Sequence, residues 1–147
     1  YKLKKLRRDA EDHAPFMPST LGTRIPLFRN DLIAQLRACG VDNLDLYAAI
    51  VSDPEDGAVH ENYQAVNILG LVAAADLQRS RYVTHGAPVA DVDFDALVVD
   101  ESKARDLLMF RLAESVNAVL VHEKVKDRLT QAGFDDLSFN VPAEIAI

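Results

Sequence analysis

Cysteine is almost missing from this chain. Cys39 stands alone, which rules out an internal disulfide and a cysteine-rich metal knuckle, and a single thiol suits a reducing compartment. No apolar run approaches the 18 or so residues that a membrane-spanning helix requires. The basic start YKLKKLRR is not followed by an apolar stretch, so neither a membrane span nor a secretory signal is expected, and the cytoplasm is the expected location. The chain begins at Tyr1 rather than methionine, which leaves an upstream segment open. Glycines are few and scattered. Gly22, Gly40, Gly57, Gly70, Gly86 and Gly133 never gather into a phosphate-cradling loop. The four histidines, His13, His60, His85 and His122, form no HExxH or HxH pair, and His122 and Glu123 are neighbours that diverge on a helix. No cofactor and no metal centre are expected from these residues.

What is present is apolar and acidic. At 147 residues and 49% hydrophobic composition, one domain with a self-sufficient core is expected. Residues 1–23 read as an N-terminal arm or helix leading into a domain over 24–147, with Pro15, Pro18, Gly22 and Pro26 breaking regularity between them. Sixteen basic against twenty-three acidic side chains give a formal charge of −7, which disfavours nonspecific nucleic-acid binding. The charge-dense start, with Lys2, Lys4, Lys5, Arg7 and Arg8 ahead of Asp9, Glu11 and Asp12, fits a solvated helix face.

The longest nearly uncharged stretch is Asn62 to Tyr82. Tyr63, Ala65, Asn67 and Leu69 alternate there with Gln64, Val66, Ile68 and Gly70, and both sets are largely apolar. This predicts a central strand covered on both sides, with the rest of the chain arranged around it. A helix is expected from Asn30 or Asp31 to Gly40, with Leu32, Ile33, Leu36 and Cys39 inward. Leu44–Val51 reads as a strand, joined through SDPEDG to the strand near Tyr63 as a long-looped hairpin. Further on, Phe94 to Val99 and Met109 to Leu112 are strand candidates. The tail gives the sharpest pattern: a strand over Ala118–Val121, then a helix from His122 with Val125 and Leu129 stacked and Gly133 past its end. Leu137–Phe139 resumes extended structure. The fold class expected is α+β, a mixed, mostly antiparallel sheet covered by short helices.

Candidate functional residues are carboxylates and aromatics. Asp53, Glu55 and Asp56 lie in a turn without EF-hand spacing. Asp91, Asp93, Asp95, Asp100 and Glu101 form a second acidic group, in which Asp93 and Asp95 share a face of any extended segment. Nothing in the sequence signals the burial that general acid–base chemistry needs. Asp76 is placed to pair with Arg79 or Arg81 and, with Ser80, to lock a turn at the end of the sheet. Asn67, among apolar neighbours, is expected to be a hydrogen-bonded strand residue.

Three stretches carry a family resemblance: GVDNLDLYAAIV, NYQAVNILGLVAAADLQRSRY and LVHEKVKDRLTQAGFDDLSF. Their motif positions are Tyr63, Ala65, Asn67, Leu69 and Gly70, then Asp76 and Ser80, and finally Leu120, Val121, Glu123, Lys126, Leu129, Gly133, Leu137 and Phe139. Over roughly residues 24–145 the chain resembles the bacterial polymorphic-toxin immunity proteins known as immunity protein 11. The resemblance implies a noncatalytic cytoplasmic protein that binds and neutralises a cognate toxin or effector, and it carries over no catalytic set. An acidic binder of this kind steers toward a basic partner. The contact residues expected are the acidic loops with Asp53, Glu55, Asp56, Asp91, Asp93, Asp95 and Glu101, beside an aromatic anchor drawn from Tyr47, Tyr63, Tyr82 and Phe94. Two other readings stay open at this point: a secretion-associated or regulatory partner of an endogenous protease or effector, and a small hydrolase or metal-dependent enzyme built from dispersed residues.

Overall fold

The computed structural model describes residues 17–22, 25–52, 57–84 and 92–144. Asp53, Glu55, Asp56 and Asp91, and the basic start of the chain, lie outside the described residues. In chain order the elements are β1 (Thr20–Leu21), β2 (Leu27–Arg29), α1 (Asn30–Ala38), β3 (Leu44–Ser52), β4 (Val59–Ile68), β5 (Leu71–Val72), β6 (Arg81–Thr84), β7 (Val92–Ala96), β8 (Met109–Leu112), β9 (Val119–Val121) and α2 (Glu123–Gln131). Short 3-10 turns cover Glu101–Ala104 and Pro142–Glu144. The fold is α+β, as expected. Its strands, however, divide among three sheets: β1-β2-β4-β3, β5-β8-β9 and β6-β7, with β5–β8 the one parallel pair among the described residues. The first sheet begins at Thr20, within the segment read as an arm.

Both helices form where the apolar period says they should. Leu32, Ile33 and Leu36 bury one face of α1, and Val125 and Leu129 bury one face of α2. The start of α1 differs from expectation. Arg29 occupies the capping position without a side-chain cap, while Asp31 accepts from the Leu32 amide at 2.8 Å. At α2, the His122 ring nitrogen Nδ1 accepts from the Lys124 amide at 3.1 Å, a conventional N-cap made by a less usual residue.

Within Asn62–Tyr82, the strand expected from the alternation over Tyr63–Gly70 is β4, with shifted ends. β4 starts earlier, at Val59, and stops at Ile68; the chain then turns at Gly70, makes the two-residue β5, and begins β6 only at Arg81. β4 is central in its sheet, between β2 and β3; its inner face is packed, and its outer face is covered in part, at Tyr63, which is 1% exposed. Val66 and Ile68 pack with Phe28, Leu44 and α1 in the first core, while Asn67 is exposed on the other face. The strand expected over Phe94–Val99 also shifts. It runs from Val92 to Ala96, and past Leu97 only Val99 makes an isolated bridge, to Ala75. Leu137 and Phe139 lie outside regular structure and pack against the first core.

The two-faced element is the β8–β9 ladder. Its pleat sends Met109, with Val119 and Val121 packed alongside, into the core under α1 and α2. The alternate positions Phe110, Leu112, Ala118 and Leu120 belong to a second core with Ala74, Ala75, Val92, Phe94 and Leu97. One short ladder is therefore the wall between two hydrophobic clusters, which is why periodicity vanishes over Leu107–Leu112.

One polar staple ties the first sheet to this wall. Asn43 Nδ2 donates to the Leu69 carbonyl at 2.7 Å and to the Met109 carbonyl at 2.9 Å, and the Leu69 amide donates back to the Asn43 carbonyl at 2.8 Å. The Arg111 amide reaches the Gly70 carbonyl at 2.8 Å. Gly70 has φ +156°, and a Cβ there would stand 3.3 Å from both Asn43 Nδ2 and Leu107 Cδ1. Gly70→Ala is expected to destabilise the protein by about 1–3 kcal/mol, through crowding of this junction and an ill-suited backbone. Urea unfolding checks it: the midpoint falls with the m-value unchanged, whereas an unchanged midpoint means that the junction yields freely.

Candidate partner-binding site

The predicted contact residues separate into different environments. On the β6–β7 hairpin, Asp93 and Asp95 point to solvent while Val92 and Phe94 point inward. Phe94 is 1% exposed, so it is a core residue and not an anchor for a partner. Tyr82, half-exposed, leans on it with ring centroids 6.0 Å apart and planes at 53°. Glu101 sits elsewhere, in the 3-10 turn that follows Asp100. Asp100 itself accepts from the Ser102 hydroxyl at 2.6 Å, which holds its carboxyl below the usual range.

Asp76, Arg79 and Ser80 do meet. Asp76 Oδ1 accepts from the Gln78 and Arg79 amides at 3.1 and 3.2 Å, and the Arg79 guanidinium lies 4.0 Å from Oδ2. Ser80 Oγ accepts from the Val98 amide at 2.9 Å. These residues fasten the turn between β5 and β6 to the strand-like segment after β7. Asn67 is different: it is a β4 strand residue, opposite Asp45 in the β3–β4 ladder, and its side chain is exposed on the outer face.

A concavity of about 850 Å³ lies between the 3-10 turn at Glu101–Ala104, the start of α2 and the chain near Pro142. Leu97, Leu107, Phe110 and Leu120 line it, and Glu101, Asp106, His122 and Glu123 are its ionisable members. Arg105 and Asp106 beside it take consecutive left-handed conformations, φ 48° and 64°. His122 is already committed through Nδ1 to its cap. Glu123 shares Lys126, at 3.8 Å, with Asp127, at 3.1 Å. No three metal-ligating side chains converge among the described residues. Glu114 is a further buried carboxyl, 7% exposed, with Oε1 3.3 Å from the Ala75 amide and no partner for Oε2; it lines neither this groove nor the narrow apolar fissure between α1 and α2.

The outer face of the first sheet offers more. Strand alternation places Tyr63, Ala65 and Asn67 there, opposite the face that Val66 and Ile68 bury. In register across the sheet, one row runs Leu21, Leu27, Ala65, Tyr47. It is half-buried on β1, β2 and β4, and it opens at Tyr47, which is 59% exposed. Beside it, Ile50 at the β3 bulge is 70% exposed and Val59 is 59% exposed. Apolar side chains here have no neighbouring layer of the kind that α1 supplies on the other face.

Charge is distributed as unevenly as burial. From Ala38 to Gln78 there is no lysine or arginine, yet seven carboxylates fall in this span: Asp42, Asp45, Asp53, Glu55, Asp56, Glu61 and Asp76. Twenty-three acids less these seven leaves sixteen, matched by the sixteen bases of the whole chain, so the entire formal −7 belongs to the stretch that makes β3, β4 and β5. A whole-chain charge conceals this. A gap in Lys and Arg was the signal available in the sequence.

No protein-family model matches the chain, and no curated protein matches it.

The outer face is closed on one side by a polar pin. The Arg29, Tyr63 and Ala49 row is crossed by residues 17–18: the Arg29 guanidinium donates to the Met17 carbonyl at 2.5 Å, and the Tyr63 hydroxyl donates to the Pro18 carbonyl. Burial pushes the Tyr63 phenol above its ordinary value, so it stays a donor. Ser19, fully buried, gives its amide and hydroxyl to Asp136 at 2.5 and 2.6 Å. Arg29 also forks onto Asp31 at 2.7 and 2.8 Å, and this pairing, opposed by burial, holds the Asp31 carboxyl below its usual value. A depressed folded-state value means stability that is complete above the unfolded carboxyl's titration and is lost as pH falls through the folded one. Asp31 is more than half exposed, so the contribution is discounted to about 0.5 kcal/mol. Asp31→Asn is therefore expected to lower stability slightly at pH 7, and the gap to the parent should close below about pH 4. Urea melts at both pH values check this; a constant gap assigns the effect to packing instead.

Proposed function

We propose that this chain is a noncatalytic protein-binding module that holds and neutralises a basic cognate toxin or effector in the cytoplasm. The observation that carries the reading is the coincidence of the open, partly apolar face of β3 and β4 with the stretch that holds all the net charge. An apolar centre within an acidic surround is the layout of a hot spot with a steering rim. The lone buried thiol of Cys39 suits the compartment. The resemblance of the motif residues to toxin-immunity proteins gives the partner its class. No helix among the described residues is long and apolar enough to cross a membrane, so a binding role at a bilayer has no such anchor to draw on.

The contact surface proposed differs from the first expectation. Asp93 and Asp95 remain an acidic face beside Tyr82, 38% exposed, with Phe94 buried, whereas Tyr47, 59% exposed, shares the β3–β4 hairpin with Asp45 and Glu61.

The test is co-expression with products of the genes adjacent to its own. One of them is expected to arrest growth when produced alone, to be relieved by this chain, and to co-purify with it. Against that partner, Asp45→Asn with Glu61→Gln should slow association several-fold at low salt with little effect at high salt, while Tyr47→Ala should speed dissociation at least five-fold. Asp93→Asn with Asp95→Asn should do neither. If the β7 pair slows association and the hairpin pair does not, the surface is wrong; if no adjacent product binds, the immunity reading fails.

A further inference from the structure

Resting on that reading, we infer that the outward edge of β3 takes up an extended, cationic strand of the partner, so that recognition proceeds by adding a fifth strand to the β1-β2-β4-β3 sheet.

β3 ends the strand order, and its nine residues pair with β4 along one side only. Along the other side, no backbone hydrogen bond from residues 45–52 occurs among the described residues. An edge of this length is usually blunted by lysine, by proline, by an inward charge or by a covering loop. LDLYAAIVS contains neither lysine nor proline, and its one irregularity is the bulge between Ala49 and Val51. Tyr47 and Ile50 stand exposed on the strand that carries the edge, available to side chains of an added strand.

What guards the edge is charge of one sign. Asp42 precedes it, Asp45 is its second residue, Glu61 lies on the adjoining strand, and no lysine or arginine occurs between residues 38 and 78. Asp45 is the one charged residue of β3 itself, so a second copy of this chain would add like charge at the start of the edge, whereas a strand rich in lysine or arginine would meet Asp45 and the acids that flank β3 in the sequence. Main-chain bonds would supply affinity, and charge with the Tyr47 and Ile50 contacts would supply choice. The occupant is thus a basic extended segment of another protein, not this protein again.

The probe is a synthetic peptide of about ten residues alternating lysine with valine, added to the full chain. Two controls accompany it: the same peptide with alternate valines replaced by proline, which keeps the charge but cannot form a ladder, and a glutamate–valine version. Amide hydrogen exchange is followed by NMR. The lysine–valine peptide is expected to slow exchange at outward amides of residues 45–52 at least ten-fold, an effect that weakens with salt and is missing with either control. Ile50→Lys, at an exposed position where folding is not at stake, should reduce the effect at least five-fold. Equal binding of the proline peptide, or protection located elsewhere, overturns the inference, as does concentration-dependent protection of residues 45–52 without peptide, which would assign the edge to a second copy. The two readings fail separately. An adjacent gene product that binds without altering exchange at 45–52 sinks the added strand and leaves protein binding standing; peptide protection without any adjacent binder leaves the edge standing and removes the immunity role.

Discussion

The structure depends on one constraint: β8 and β9 are buried on both faces. A short ladder that divides two cores has little solvent side, so most of its positions must be apolar or small; Arg111, half-buried on β8 with its Nε buried and unpartnered among the described residues, is the exception. Met109, Phe110 and Leu112 on one strand and Leu120 on the other meet that demand, and Ala118 fits where Leu112 closes over it. Everything else attaches to this wall. α1, α2 and the inner face of the first sheet close one core, while Ala74, Ala75, β7 and Leu97 close the other. The Asn43 staple and the Gly70 turn hold the first sheet against the wall from outside either core, where backbone polar groups can still be paired.

Because the helices are spent on that first core, the first sheet has only one face covered by helices. Its outer face is shielded over the Arg29–Tyr63 row by residues 17–18, and the next row is left to end in Tyr47. The pin that does the shielding is polar and buried, so it costs more to leave unsatisfied than it returns in net stability. Its value is positional: it decides where cover stops and where an accessible apolar surface begins.

Much of this was legible one element at a time. Helix periods placed α1 and α2, Gly40 and Gly133 marked their ends, and the run at Met109–Leu112 was a strand because nothing else so short could be so apolar. The alternation of Val92, Asp93, Phe94 and Asp95 holds the parity that buries Phe94, and the expectation of Phe94 as a partner anchor overlooked it. What local pattern could not supply was the break at Gly70. Apolar residues at both parities are the mark of a strand covered on both sides, and equally of a strand whose outer face is open. Deciding between them requires the long-range facts that Asn43 reaches Leu69 and Met109, and that Tyr47 is 59% exposed. The site was missed for a different reason: a summed charge of −7 says nothing about where it resides.

Placement of that charge bears on how an unprotected edge persists at all. Strands in a sheet lie about 4.8 Å apart, well within the screening length of about 10 Å at 0.1 M salt. Carboxylates on two apposed copies would therefore still repel at ordinary ionic strength, at distances where backbone pairing would otherwise be favourable. Lysine on the edge would give the same protection, but it would turn away a basic partner. Acidic residues keep like copies apart and favour one class of stranger with the same few side chains. On the proposed reading, exclusion of like copies and choice of a basic partner would then rest on one electrostatic property of the β3–β4 hairpin, and a neutral hairpin of identical shape would lose both together.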